Sequence, residues 1–127
     1  MRVMAIIMAT SESPPGEPLD QAGFVEVVRF NEQLVQAGVL LAGERLQPRS
    51  SAVWVQIPNG RHSTVPEPRT GSHPGIAGFW LWQVRSMDEA IEWARRSPRP
   101  ATGTTEIEIR PVMESAALQT GRSQSQP

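Results

Sequence analysis

The order in which hydrophobic patterns follow one another constrains the fold of this chain more than any other feature. Two segments show the three- and four-residue spacing of an amphipathic helix, and segments with strand-like patterns lie before, between and after them. The predicted helices are Leu19–Gly38 and Ser86–Arg96, and the predicted strands are Arg2–Ala9, Val39–Leu46, Ala52–Ile57, Gly78–Val84 and Thr104–Arg110. This order predicts a ferredoxin-like βαββαβ sandwich of the α+β class, in which both helices cover the same face of one sheet.

Capping residues mark the ends of both predicted helices. Asp20 is the predicted N-cap of the first helix, and Gly38 follows its last turn. Ser86 and Glu89 have the spacing of a capping box at the start of the second helix, which Pro98 prevents from continuing. These residues define where each helix begins and ends.

A single domain of residues 1–114 accounts for all of these elements, and 127 residues are enough to bury its core. The polar segment 115–127 is predicted to be a disordered tail. Residues 61–76 contain three prolines and two glycines. We therefore expect a long irregular loop there, whose first residues could return as a short edge strand.

The composition excludes several kinds of chemistry. Twelve arginines balance thirteen carboxylates, so no basic surface is available for non-specific nucleic-acid binding. Because Lys, Cys and Tyr are absent, Schiff bases, disulfides, thiolate nucleophiles, zinc–cysteine sites and phenol acids are excluded. The sequence also has no phosphate-binding loop, dinucleotide-binding fingerprint or zinc signature, and we expect neither a metal nor a cofactor. No apolar run approaches the roughly 20 residues of a membrane span. The apolar start of the chain lacks a signal-peptide cleavage pattern, so we expect a cytoplasmic protein.

The tryptophans predict a homodimer. Several strands supply large apolar groups to both of their faces, so we expect Trp54, Trp80 and Trp82 to lie on or near the face that the helices leave uncovered. The alternative is that they are core residues, which suits any one of them better than all three together. Burying about 200 Å² of each indole stabilises a protein by roughly 5 kcal/mol as an upper bound. Two copies are therefore predicted to pack their sheets face to face and to enclose an apolar chamber.

Six short segments that follow the opening apolar strand are specific when taken together. They are Phe30-Asn31-Glu32, Gly38-Val39-Leu40, Ala42–Pro48, Ala77–Trp80, Ser86–Ala94 and Glu108–Glu114. With these segments the chain resembles the YCII-related family, in particular its DGPF-domain branch, from Met1 to about Glu114. The motif that names the branch is degenerate, because only Pro68 fits within residues 66–69, and Thr10–Ser13 stands where some members have a His-Asp arrangement.

The resemblance implies a ferredoxin-like fold whose protomers pair as a dimeric α/β barrel, like muconolactone-isomerase-type proteins. Some relatives resemble dehalogenating or lyase-type enzymes. Others accompany alternative sigma factors or occur in natural-product biosynthesis. The resemblance therefore leaves both an enzyme and a regulatory protein open.

Candidate catalytic residues are those that transfer protons near neutral pH. His62 and His73 lie in or beside the long loop, where each is either a general acid or base or a solvent-exposed loop residue. Their spacing matches no metal-ligand pattern. Glu44 follows Gly43, where a bulge could aim its carboxylate into the chamber as an acid or base. The alternative is that Glu44 forms an ion pair with an arginine.

Candidate substrate-binding residues are aromatic side chains and arginines. They are Trp54, Arg69, Trp80, Trp82 and Arg110. The tryptophans could stack on a flat ligand, although dimer packing explains them equally well. Arg69 binds a carboxylate or phenolate through its planar guanidinium, or it is a solvated loop residue. Arg110 shares a strand face with Glu106 and Glu108, where it pairs across the dimer or lies exposed.

Two functions follow from these expectations. The first is a cofactor-independent enzyme that catalyses the isomerisation, cyclisation or elimination of a hydrophobic aromatic or polyketide-like molecule. In this enzyme His62 or His73 and Glu44 transfer protons. The second is a non-catalytic ligand-binding or regulatory protein, associated with an alternative sigma factor, on the same scaffold.

Overall fold

Strand β1 (Arg2–Met8) lies inside a four-stranded antiparallel sheet of order β2-β5-β1-β6. A computed structural model of the chain describes residues 1–9, 20–58, 63–65, 75–98 and 104–114. The other elements are α1 (Gln21–Gln36), β2 (Leu40–Arg45), a 3₁₀ turn (Arg49–Ser51), β3 (Trp54–Gln56), β4 (Ser63–Val65), β5 (Ile76–Gln83), α2 (Met87–Arg95) and β6 (Glu106–Pro111). Both helices pack on one face of the sheet, and the predicted ferredoxin-like α+β fold is confirmed.

The central position of β1 explains its apolar sequence. Val3 and Ala5 are fully buried on the helix side, and Ile6 on the opposite side is only 9% exposed. Strands β5 and β6 flank β1 as antiparallel neighbours, and the β1–β5 register shifts between Ile7 and Met8. Strands β3 and β4 form a separate two-stranded ribbon, in agreement with the predicted return of the long loop as a short strand.

Local hydrogen bonds fix the helix ends at the predicted capping residues. The Gly23 N–H donates to Asp20 Oδ1 at 2.7 Å, and the Glu89 N–H donates to Ser86 Oγ at 3.2 Å. Gly38, after the last turn of α1, has a φ of 73°, which glycine adopts without a steric penalty. Neither described helix is long and apolar enough to cross a membrane.

Four aromatic side chains join the helices to the sheet. Phe30 of α1 makes edge contacts with Trp80, at 5.3 Å between ring centroids, and with Trp93 of α2, at 6.2 Å. Trp82 stacks on Trp80 at 5.5 Å. Because Phe30 touches a strand and the other helix at once, this aromatic cluster holds both helices against the sheet.

The prediction that Trp80 and Trp82 lie on the uncovered face is wrong. Trp80 is 8% exposed and Trp82 is fully buried beneath the helices. The physical reason is the size of the neighbours across the sheet. Trp80 lies between Gly43 of β2 and Ala5 of β1, and these small residues leave room for an indole on the helix side.

Gly43 allows the backbone of β2 to approach the Trp80 indole closely. A β-carbon at this position would lie 2.7 Å from Cδ1 of Trp80. A bulge at Leu41 shifts the register of the same strand. The Trp80 indole is also held by Asn31, whose Oδ1 accepts a hydrogen bond from Nε1 at 3.1 Å. In the described part of the chain, Nε1 of Trp82 has no such partner.

We predict that Gly43→Ala lowers the free energy of unfolding by about 1–3 kcal/mol, because the added methyl group overpacks the indole. Urea denaturation measures this change. Trp80→Phe is the matched partner substitution, and a double-mutant cycle should show that Gly43→Ala costs less when the indole is absent. Equal costs in both backgrounds would contradict the contact.

Candidate functional site: the helix-free face

The side chains that alternate with the core residues form the face that carries no described helix. Cross-strand pairing places them in two rows that run β2-β5-β1-β6. The first row is Glu44, Phe79, Ile6 and Glu108, and the second is Ala42, Leu81, Met4 and Arg110. We call these eight residues the helix-free face. Neighbours within a row lie about 4.8 Å apart because that is the spacing of adjacent strands.

The centre of the helix-free face is apolar and its edges are charged. Met4, Phe79 and Leu81 on the two central strands are partly exposed. The charged residues of the two rows lie on the outer strands, with Glu44 on β2 and the Glu108–Arg110 pair on β6. An apolar centre within a polar rim is the usual anatomy of a protein interface.

The charges on β6 follow the predicted alternation. Ile107 and Ile109 pack against the core, and Glu106, Glu108 and Arg110 lie exposed on the opposite face. Within β6, Glu108 Oε2 accepts a hydrogen bond from Arg110 Nε at 3.0 Å. Arg110 is therefore paired with a carboxylate of its own strand, and its role toward a ligand or a partner remains a prediction.

Glu44 lies at the other edge of the face. It pairs with Phe79 on the neighbouring strand, and its side chain is exposed. Three strand spacings separate it from Glu108, which corresponds to about 14 Å. Glu44 and the Glu108–Arg110 pair therefore cannot act on the same atom of a small ligand within one protomer.

The predicted site residues that the structure describes do not lie together. Trp80 and Trp82 lie on the opposite side of the sheet, and Trp54 lies on the β3–β4 ribbon, where it is 41% exposed. His62, Arg69 and His73 are outside the described residues, as is the predicted tail. Their catalytic and binding roles stay predictions.

Sequence reasoning missed the four apolar residues at the centre of the face. Met4, Ile6, Phe79 and Leu81 were visible as an alternating set, but alternation alone does not tell which set faces the helices. The small residues Gly43 and Ala5 opposite Trp80 were the signal that could have decided it, had the strand order been known.

A groove of about 830 Å³ lies on the other side of the molecule, between the end of α1 and helix α2. Its lining includes Gly38, Val84, Asp88, Glu89 and Trp93. Both oxygens of the Glu89 carboxylate accept hydrogen bonds from the same chain. Oε1 accepts one from the Arg85 backbone N–H at 2.7 Å, and Oε2 accepts one from the indole N–H of Trp93 at 3.4 Å. Among the described residues, no group of three or more His, Asp or Glu is placed to hold a metal ion.

A comparison with known protein families identifies the family of this chain. The profile of the YCII-related domain matches residues 1–115. The chain belongs to the YCII-related family. No curated protein matches it in a sequence search. Membership of the DGPF-domain branch stays a prediction.

We predict that Glu89→Gln lowers the free energy of unfolding by about 1 kcal/mol at neutral pH, because charge-assisted hydrogen bonds at the start of α2 are lost. The hydrogen bond from the Arg85 backbone N–H, with smaller contributions from the side chains of Arg85 and Trp93, holds the pKa of the Glu89 carboxyl below its ordinary value of 4.5.

The lowered pKa gives this effect a pH dependence. Stabilisation by a carboxylate whose pKa is lowered on folding is complete above its unfolded pKa and is lost as the pH falls through the folded value. The difference between wild type and Glu89→Gln, measured by urea denaturation, should therefore shrink below about pH 4.5. Glu92→Gln, one turn along and more exposed, is the control. A difference that stays constant into acid would contradict this role.

Proposed function

We propose that two copies of the chain pack through their helix-free faces and enclose an apolar site for a hydrophobic small molecule. The observation that carries this proposal is the cluster of Met4, Ile6, Phe79 and Leu81 at the centre of a sheet face that no described helix covers. Membership of the YCII-related family supports it.

The physical case rests on the two-layer construction of small domains. A sheet with large apolar groups on both faces buries one of them against its helices and needs another layer for the second. A second copy supplies such a layer from the same sequence. The charged edges stay at the rim, where solvent reaches them.

The lining of the site favours a flat or flexible apolar ligand, such as an aromatic or polyketide-like molecule. Phe79 offers a ring for stacking. Met4 has an unbranched thioether that adapts to irregular shapes. Arg110 at the edge is suited to a carboxylate or phenolate of the ligand.

The reaction that such a site favours is proton transfer without a cofactor, as in an isomerase, a cyclase or a lyase of natural-product biosynthesis. Glu44 stands beside Phe79 at the β2 edge of the face, where it acts as acid or base. His62 or His73 supplies the second proton-transfer group. General acid–base catalysis by positioned groups contributes typically 10²- to 10⁴-fold.

A non-catalytic binding or regulatory protein, associated with an alternative sigma factor, is the second candidate. The observation that favours it is the separation of about 14 Å, from strand spacing, between Glu44 and the Glu108–Arg110 pair across the face. Within one protomer the carboxyl groups of Glu44 and Glu108 therefore cannot act as acid and base on the same bond, so the described part of this face holds no complete acid–base pair. In this case the apolar centre binds a ligand and the edges contact another protein.

We predict that Leu81→Glu converts the dimer into a monomer at micromolar concentration, because two buried carboxylates would face each other or the apolar centre. Sedimentation-velocity ultracentrifugation measures the state. Val35→Glu is the control, since Val35 is 61% exposed on α1 and its substitution should leave the dimer intact. A wild-type chain that sediments as a monomer would overturn the proposal.

We predict that the wild-type protein in D₂O accelerates deuterium incorporation next to the carbonyl of 2-tetralone, an aromatic ketone probe, and that NMR detects it. The combined variant His62→Ala, His73→Ala should lose at least tenfold of this rate while probe binding, followed by isothermal titration calorimetry, is kept. Glu44→Gln should also lose rate. Binding without any exchange by the wild type would favour the non-catalytic protein.

A further inference from the structure

Strand β2 lies at one edge of the sheet, and in the described part of the chain it pairs only with β5. Just beyond β2, the Leu46 N–H donates to the Ala77 carbonyl at 2.8 Å. Successive residues of an antiparallel edge strand bond alternately to the neighbouring strand, so the backbone N–H and C=O groups of Gly43 and Arg45 point away from β5. Both residues are exposed. This edge therefore presents main-chain donors and acceptors that another strand can pair with.

An apolar stripe of helix α1 lies beside the same edge. Asn31 accepts a hydrogen bond from Nε1 of Trp80, and this nitrogen would lie 3.3 Å from a β-carbon at Gly43. Asn31 therefore marks the flank of α1 that faces β2, whereas Phe30 contacts α2. Exposed apolar residues three, four or seven positions from Asn31 share its flank. We call them the α1 stripe, and they are Phe24, Val28 and Val35.

An extended polypeptide matches both features. Its main chain is complementary to the alternating N–H and C=O groups of β2, and its side chains alternate between two faces. One set of side chains packs on the α1 stripe. The other set lies on the helix-free side beside Glu44, whose carboxylate makes no salt bridge within the described residues. Opposite charges on neighbouring strands stabilise a sheet, so basic residues suit this second set.

The size of the surface favours a short segment over a globular partner. Stable interfaces between folded proteins use about 20–30 residues a side, whereas β2 has six residues and the α1 stripe has three. A six-residue strand extends about 20 Å. A segment of similar length covers the edge of β2 and reaches along the α1 stripe.

We infer that β2 and the α1 stripe bind an extended segment of another protein as a fifth strand of the sheet. Alternate apolar residues of the segment contact the α1 stripe, and the basic residues between them lie on the side of Glu44. Main-chain hydrogen bonds supply affinity in this mode of recognition, and the alternate side chains supply specificity. The surface is the edge of the sheet and not its helix-free face, so the inference does not depend on the proposed dimer.

The first test uses the fluorescein-labelled peptide Lys-Val-Lys-Val-Lys-Val, and fluorescence anisotropy measures its binding. Saturable binding to the wild-type protein is expected. Two further peptides carry N-methyl groups on the three valines or on the three lysines. Because only one edge of an added strand faces β2, one of these two should bind at least tenfold more weakly than the other. Equal affinities of the two, or no saturable binding of the unmodified peptide, would overturn the inference.

The second test uses matched variants of the protein, whose folding circular dichroism checks. Arg45→Pro removes an N–H that points away from β5, and an edge strand tolerates proline at such a position. It should weaken binding at least tenfold relative to Arg45→Ala, which keeps the N–H. Phe24→Ala should weaken binding at least threefold. Val25→Ala is its control, because Val25 is also exposed but lies on another flank of α1, and it should leave binding unchanged.

The outcomes of the second test separate the possible occupants of the edge. Equal binding by Arg45→Pro and Arg45→Ala, or by Phe24→Ala and Val25→Ala, would overturn the inference. So would a dimer that Arg45→Pro, but not Arg45→Ala, converts into a monomer in sedimentation velocity, because a second copy would then cover the edge. A wild-type monomer that binds the peptide as expected would overturn the proposed dimer and support this inference.

Discussion

The contact between the Trp80 indole and the backbone of Gly43 decides which face of the sheet meets the helices. The indole lies between Gly43 and Ala5, and a β-carbon at residue 43 would approach it to 2.7 Å. Side chains alternate strictly along a strand. Once Trp80 points toward the helices, Trp82 must follow it, and Phe79 and Leu81 must point to the opposite face.

The aromatic cluster completes one side of the sandwich. Phe30 contacts Trp80 and Trp93, so a single side chain of α1 connects the sheet with the second helix. The hydrogen bond that Trp80 donates to Asn31 fixes the orientation of the indole within this cluster. Because the helices take the largest side chains of the sheet, the other face is left with medium-sized apolar groups and charged edges. That division gives the molecule one closed face and one face suited to a partner or a ligand.

Local interactions explain which features could be predicted from the sequence. Asp20 and Ser86 cap their helices with hydrogen bonds to residues three positions away, and Gly38 adopts a positive φ next to the helix that it ends. The alternation of Ile107 and Ile109 with charged residues likewise placed β6 correctly. The strand order, the face occupied by the indoles and the pairing of Arg110 with Glu108 depend on contacts between distant segments, so no local pattern specified them.

The sequence by itself determined the order of helices and strands, the helix ends and the family, because each depends on neighbouring residues or on short segments taken together. Only the tertiary structure decided that Trp80 and Trp82 belong to the core and that Met4, Ile6, Phe79 and Leu81 form the helix-free face. Both sets alternate with period two and both are apolar. The choice between them depends on the space beside Trp80, and this space exists only after β2, β5 and β1 have come together.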